Sequence, residues 1–402
     1  MTSLQAAPIL TDHGVERVLR RAEMGHGISR SGALSILRFA PLTGLLESAS
    51  ALRNRVKGRT ISFSKKVFIP LTNLCRDRCG YCTFRRDPED AGAHFMSPEE
   101  VLHVATEARK AGCKEALFSL GDQPERAFSE AADFLSAQRH RTTLSYLADM
   151  TSTTLRETGL LPHSNPGVMP AADLAALKRS NASLGLMLES VSERLLHRGA
   201  SHWQAPDKAP RLRLKTIEDA GRSRIPFTTG LLVGIGETLE ETVDTLLAIR
   251  EIHERYGHIQ EVIIQNFRAK PATRMAAQPE PSSEAFLRVV AVSRLTLGGE
   301  TNIQAPPNLS APDYGRLLNA GINDWGGISP VTPDFINPEF GWPQISALRA
   351  TTESAGFQLR ERLAIYPEFV GQSEFIAEEL KPYLARMADA DGYAIPAEVP
   401  VA

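Results

Sequence analysis

Lys66-Val-Phe-Ile-Pro-Leu-Thr-Asn-Leu-Cys75-Arg-Asp-Arg-Cys79-Gly-Tyr-Cys82-Thr-Phe84 begins as an apolar run with strand character. Past Thr72 it gathers three of the chain's four cysteines into eight residues, spaced C-x3-C-x2-C. Soft thiolate sulfurs suit iron–sulfur chemistry, and three on one short loop can hold three irons of a cubane cluster. The remaining cysteine, Cys113, falls in a helix-to-strand turn, Ala111-Gly112-Cys113-Lys114, with no ligand spacing around it. A fourth iron would therefore stay open to an exogenous ligand, as a catalytic cluster requires. The competing arrangement is a structural zinc with His94 as fourth ligand, but zinc sites pair C-x2-C with a second close pair of ligands.

Outward from this loop the pattern alternates strand with helix. After the first strand from Ile61, the expected strands are Glu115 to Leu120, Gly159 to Leu161, Ser183 to Leu188, Pro226 to Val233, Gln260 to Asn266 and Asn302 to Ala305. Gly321-Ile-Asn-Asp-Trp325 supplies an eighth. Expected helices include Ala171 to Ser180, Lys208 to Ala220, Leu239 to Arg255 and Ser282 to Leu297, and Ser97-Pro-Glu-Glu100 reads as the capped start of another. Repeated βαβ units of this kind mean a parallel sheet. The fold class is α/β: a (β/α) TIM-type barrel, full or partial, with its chemistry on the loops after the strands' carboxyl ends. Three segments are expected: a helical N-terminal extension over 1–58, the barrel over 59–310, and a C-terminal extension closing the barrel over 311–402.

Composition narrows the function classes. The 402 residues, 42% hydrophobic and 23% charged, suit one large barrel with extensions rather than two linked domains. A net charge of −2 supplies no positive field for nucleic acid or an anionic membrane. The basic cluster Arg211-Leu-Arg-Leu-Lys215 reads as a solvated helix face. No run approaches the ~18 apolar residues of a membrane helix, the N-terminus lacks a signal-peptide core, and clustered cysteines argue for a reducing compartment. The expected location is the cytoplasm.

The C-x3-C-x2-C spacing, with Tyr81 before the last cysteine and a strand just upstream, resembles the signature of the radical S-adenosylmethionine (radical SAM) superfamily. The resemblance implies a [4Fe-4S] cluster on Cys75, Cys79 and Cys82, whose open iron is chelated by the amino and carboxylate groups of S-adenosyl-L-methionine (SAM). An electron from the reduced cluster then cleaves the sulfonium to methionine and a 5′-deoxyadenosyl radical. Gly121-Asp122-Gln-Pro124 is similar to the element that receives the SAM ammonium, where a carboxylate gains a charge-assisted hydrogen bond; a plain turn is the alternative. Gly234 and Gly236, in Gly230-Leu-Leu-Val-Gly-Ile-Gly-Glu237, would let backbone approach the nucleoside. Glu189 ends a buried strand where SAM hydroxyls or a buried arginine could hold it.

Polar side chains recur where a barrel mouth would lie: His163 and Asn165, Gln265 and Asn266, Gln304, and Asp324. Amides offer donor and acceptor together, which suits a uracil-like ring, and Trp325 could stack on one. Phe68 to Phe84, Glu115 to Glu125, Ile264-Gln-Asn-Phe-Arg-Ala-Lys-Pro271 and Gly321 to Pro330 together resemble the 7,8-didemethyl-8-hydroxy-5-deazariboflavin (FO) synthase family. Within that family they are most similar to the subunit, or N-terminal half, that closes the ring, over roughly residues 60 to 345. What this implies is conversion of the adduct 5-amino-5-(4-hydroxybenzyl)-6-(D-ribitylimino)-5,6-dihydrouracil to FO with loss of ammonia. A companion radical SAM hydroxybenzyl transferase would supply the adduct, and a reductant protein such as flavodoxin or ferredoxin the electron. With no second C-x3-C-x2-C before Ala402, the stand-alone subunit is expected. The alternatives are the companion transferase itself, a menaquinone-pathway radical SAM cyclase, or a non-enzymatic metal-binding protein.

Overall fold

Among the described residues, nine parallel strands carry the architecture: β1 (Thr60–Pro70), β2 (Glu115–Ser119), β3 (Leu161–Asn165), β4 (Ser183–Gly185), β5 (Phe227–Val233), β6 (Ile259–Asn266), β7 (Ile303–Gln304), β8 (Asp324–Ile328) and β9 (Gln358–Arg362). In this computed structural model, which describes residues 12–396, β1 to β8 hydrogen-bond in sequence order and β1 pairs with both β2 and β8. The result is a closed eight-stranded TIM-type barrel. Residues 1–11 and 397–402, the outer ends of the two expected extensions, lie outside the described residues.

The length of β1 explains how it serves three neighbours. Its second half, Lys66 to Pro70, pairs with β2, while Thr60 to Ser64 pairs with β9. Strands buried on both faces read as continuous apolar runs rather than alternating ones, and β5 is buried at every position. The helix Pro98–Lys110 opens on a complete capping box: Ser97 Oγ accepts from Glu100 N at 3.3 Å, and Glu100 Oε2 accepts from Ser97 N at 2.7 Å.

Several boundaries differ from the sequence expectation for identifiable reasons. Gly159, at φ +70°, caps the helix Thr143–Thr158 instead of opening a strand, so β3 begins at Leu161. The expected helical N-terminal extension is divided at Pro41, which has no N–H to continue a helix, so that Arg30–Phe39 and Leu42–Lys57 are separate. β8 lies past residue 310, so the barrel's own strands continue into the C-terminal segment.

That segment closes the barrel at its amino-terminal end. Arg362 of β9 donates from Nε to Asp324 Oδ2 at 2.7 Å and from Nη2 to Glu261 Oε1 at 3.0 Å. Tyr366 adds a hydrogen bond to Glu261 at 2.8 Å, and all four residues are buried. Trp325 turns away from the lumen: it is 1% exposed, donates to Thr352 Oγ1 at 3.0 Å and meets Tyr314 edge-on, so it packs in the core and is not a stacking platform for a ligand.

Candidate active site

The loop after β1 carries the three cysteines over the carboxyl end of the barrel, where they line a cavity of about 250 Å³ together with residues from β2, β3 and β6. Backbone contacts fix that loop from three sides. Arg76 N donates to Asp122 O at 3.1 Å, Gly80 N to Ser201 O at 2.6 Å, and Met275 N to Gly80 O at 3.1 Å. Gly121 has no room for a side chain, since a Cβ there would meet Leu74 O at 1.9 Å and Cys75 Cβ at 2.7 Å. The close approach lets Asp122 N reach Cys75 Sγ at 3.2 Å. Hydrogen bonds of this kind orient a metal-ligating sulfur and tune its metal.

The cysteine sulfurs do not converge as they would on one ion. Among the described residues, the trio of ligand atoms lying mutually within 4.8 Å belongs to Asp77, Asp122 and Asp207, not to the cysteines. Spacing wider than a single zinc shell suits a multi-iron cluster. His94 stands apart, with its Nε2 3.1 Å from Glu100 Oε1 and its side chain 51% exposed, so the zinc alternative loses its fourth ligand. Burial raises the Cys75 thiol and pushes that of Cys79 up to about 12, so bound metal must supply the charge that keeps them as thiolates.

The three aspartates form one buried acidic corner beside the loop. Burial, and then repulsion from Asp207 and Asp77, raise the Asp122 carboxyl to about 7; Asp77 and Asp207 are raised chiefly by burial as well. Arg76 Nε lies 2.9 Å from Asp207 Oδ2. A cationic amino group bound here would relieve that mutual repulsion, which suits the corner to such a ligand. Beside it, Lys208 and Arg213 also line the cavity, Lys208 donating to Glu189 Oε1 at 2.7 Å and Arg213 to Met187 O and Asp207 O. Lys208 Nζ lies 5.9 Å from the centre of the Tyr81 ring, whose hydroxyl is 3.2 Å from His202 Nε2.

Of the residues singled out from sequence, the cavity brings together Cys75, Cys79, Cys82, Tyr81, Gly121, Asp122, Asn165, Glu189, Gln265 and Asn266. The others lie elsewhere. Gly234 and Gly236 do not line it, and the donors of their turn are taken internally, since Glu237 accepts from Gly234 N at 2.7 Å and Ile235 N at 2.9 Å. His163 is mid-strand, bonded to Ser183 Oγ at 2.6 Å, and Gln304 is buried on β7. Asp324 is the first residue of β8 rather than a residue past its end, which puts it at the closed floor with Arg362. Glu189 accepts from Lys208 at 2.7 Å rather than from a buried arginine. Arg213 corrects the reading of its basic cluster as solvated: it is 4% exposed, on the face of Pro210–Arg222 that also buries Thr216, Ile217 and Ala220, whereas Lys215 faces outward.

Comparison with known proteins agrees with this geometry. Residues 69–249 match the family model described as the radical SAM superfamily. The chain is 48% identical over 334 residues to the 7,8-didemethyl-8-hydroxy-5-deazariboflavin synthase of Methanopyrus kandleri, covering 83% of this chain and 99% of the relative. It belongs to the FO synthase family of radical SAM enzymes. The family's cofactors are a [4Fe-4S] cluster and SAM, and the cysteine loop and acidic corner fit both. The FO synthase of Streptomyces coelicolor is 47% identical over 392 residues, but there the match covers 94% of this chain and 45% of the relative, so the chain spans about half the length of that protein. The barrel superposes on the crystal structure of the [FeFe]-hydrogenase maturase HydG with a TM-score of 0.72 at 17% identity, covering 87% of this chain and 77% of the other, a likeness of fold. Among the described residues, no helix is long and apolar enough to cross a membrane.

Proposed function

We propose that this chain is the ring-closing lyase of FO formation, converting 5-amino-5-(4-hydroxybenzyl)-6-(D-ribitylimino)-5,6-dihydrouracil to FO with loss of ammonia. The observation that carries the reading is the match over 99% of the Methanopyrus kandleri relative, whose name is that of the synthase of the closed-ring product.

Cys75, Cys79 and Cys82 would hold the cluster. Asp122 would receive the SAM ammonium, with Asp77 and Asp207 supplying negative charge behind it, and Lys208 and Arg213 would face the SAM carboxylate. Asn165, Gln265 and Asn266, at the carboxyl ends of β3 and β6, carry the amide groups that suit the uracil edge. When bound, cluster and SAM supply a carbon-centred radical by reductive cleavage of the sulfonium. The protein's own part is positioning and exclusion of water. Ile336 and Asn337, from the segment after β8, line the cavity, and Lys270 ties that segment down by donating to Ile336 O at 2.6 Å.

The adduct would come from a companion hydroxybenzyl transferase and the electron from a flavodoxin or ferredoxin, in the cytoplasm. The test is anaerobic turnover of reduced protein with SAM and the adduct. Deazaflavin fluorescence with equimolar 5′-deoxyadenosine supports the reading. Adduct formation from tyrosine and a ribityl-uracil by this chain alone would assign it to the transferase instead.

A further inference from the structure

Side chains alternate across a strand, so every second residue of a barrel strand faces the lumen. On β1, Ser62 and Ser64 do so, bonding to Asp324 and Glu115 at the floor, while Lys65 points outward and donates to Ala111 O at 2.6 Å. Lys66, two residues above Ser64, therefore enters the lumen one tier above the floor. Leu117 and Ile263 enter the same tier, each two residues above a floor carboxylate, Glu115 or Glu261, and two below a residue of the cysteine cavity, Ser119 or Gln265. Lys66, Leu117 and Ile263 are all partly accessible, although they stand on the inner face of a closed barrel. The lumen is thus open at this tier, directly beneath the cysteine cavity.

Lys66 brings a charge that nothing in this tier answers. Among the described residues, no hydrogen bond or ion pair reaches its Nζ, and the centre of the Trp342 ring lies 5.7 Å away. The carboxylates around it are committed elsewhere: Glu115 to Ser64, Glu261 to Arg362 and Tyr366, and Asp334 to the backbone of Ile336 and Asn337. Burial accordingly lowers the pKa of the ammonium. A uracil edge needs donors and acceptors side by side, whereas this tier offers a cationic donor among Leu117, Ile263 and an indole. That set fits a flat apolar ring ending in one oxygen. We propose that the tier seats the 4-hydroxybenzyl ring of the substrate, its phenolic oxygen accepting from Lys66 Nζ, while the dihydrouracil stays at Asn165, Gln265 and Asn266 above. The inference rests on the proposed reading that the substrate is the hydroxybenzyl adduct.

The test is calorimetric binding of the adduct and of its benzyl counterpart, which lacks the phenolic hydroxyl, to the anaerobic, cluster-loaded protein with SAM, beside deazaflavin formation from the adduct. The wild type should bind the hydroxylated compound at least about tenfold more tightly than the benzyl one. Lys66→Met, verified by circular dichroism and by an unchanged affinity for SAM, should erase that preference by weakening the hydroxylated compound alone. Gly327→Ala is the second variant: its methyl would meet Lys66 Cε at 2.1 Å, so it should cut the preference while keeping the ammonium, and it decides the matter if Lys66→Met does not fold. Wild-type protein that forms deazaflavin but shows equal affinities, or variants that weaken both compounds alike or neither, would overturn the role of Lys66 only. Wild-type protein that binds neither compound and forms no deazaflavin overturns the substrate reading and this inference together.

Discussion

Nζ of Lys208 lies 2.7 Å from Oε1 of Glu189, and the Tyr81 hydroxyl approaches the same oxygen at 3.4 Å. Both charged side chains are largely buried, so the wall facing the cysteine loop is an internal ion pair and not a lone carboxylate.

Removing one partner of a buried pair leaves the other charge uncompensated, at a cost of about 3–5 kcal/mol, whereas removing both often costs much less. Lys208→Met and Glu189→Gln should therefore each lower the urea midpoint strongly, and the double variant should recover most of the loss. Single variants that unfold like the wild type would show that the pair does not brace this wall.

Gly121→Ala should displace the cysteine loop, because the new methyl would sit 1.9 Å from Leu74 O. Iron and sulfide per chain should fall by more than half while far-UV circular dichroism is retained. Gly44→Ala is the control: it lies in the helix Leu42–Lys57 with nothing within 4 Å of the added carbon, so cluster content should be unchanged.

The floor of the barrel makes stability depend on pH. Burial chiefly holds His163 neutral, lowering its pKa from 6.5 to about 4. Because the folded state resists the proton that the unfolded state accepts, stability is complete above pH 6.5 and is lost as pH falls toward 4. At 1.36 kcal/mol per pKa unit the loss is on the order of 3 kcal/mol. His163→Gln should flatten this part of the stability profile; an equally steep decline in the variant would assign the dependence to other groups.

Cys113 is 0% exposed in the core and should be dispensable for the cluster. Cys113→Ala should keep about four irons per chain, whereas alanine at Cys75, Cys79 or Cys82 should abolish the cluster. Loss of iron in Cys113→Ala would contradict the three-ligand assignment.

The barrel was legible because alternating apolar strands and capped helices leave few other ways to bury both sheet faces. That Cys75, Cys79, Cys82 and Asp122 meet at one cavity was legible because each motif is local in sequence and follows a strand. Residues whose role depends on direction were not. His163 and Asp324 are polar residues that the sequence could place past strand ends, but only register tells that one sits mid-strand and the other opens its strand. Lys208 and Arg213 reach the cavity from a 3-10 turn and the helix that follows it, and no motif marks them. For Arg213 the signal was present: Thr216, Ile217 and Ala220 follow it at helical spacing and share its buried face.

The central claim is that three cysteines leave one iron free to bind SAM. Electron–nuclear double resonance of the reduced, cluster-loaded protein with SAM labelled by oxygen-17 in its carboxylate and nitrogen-15 in its amino group tests it most directly. Hyperfine coupling of both labels to the cluster is the predicted result. A cluster signal unchanged by the labelled compound would contradict the account.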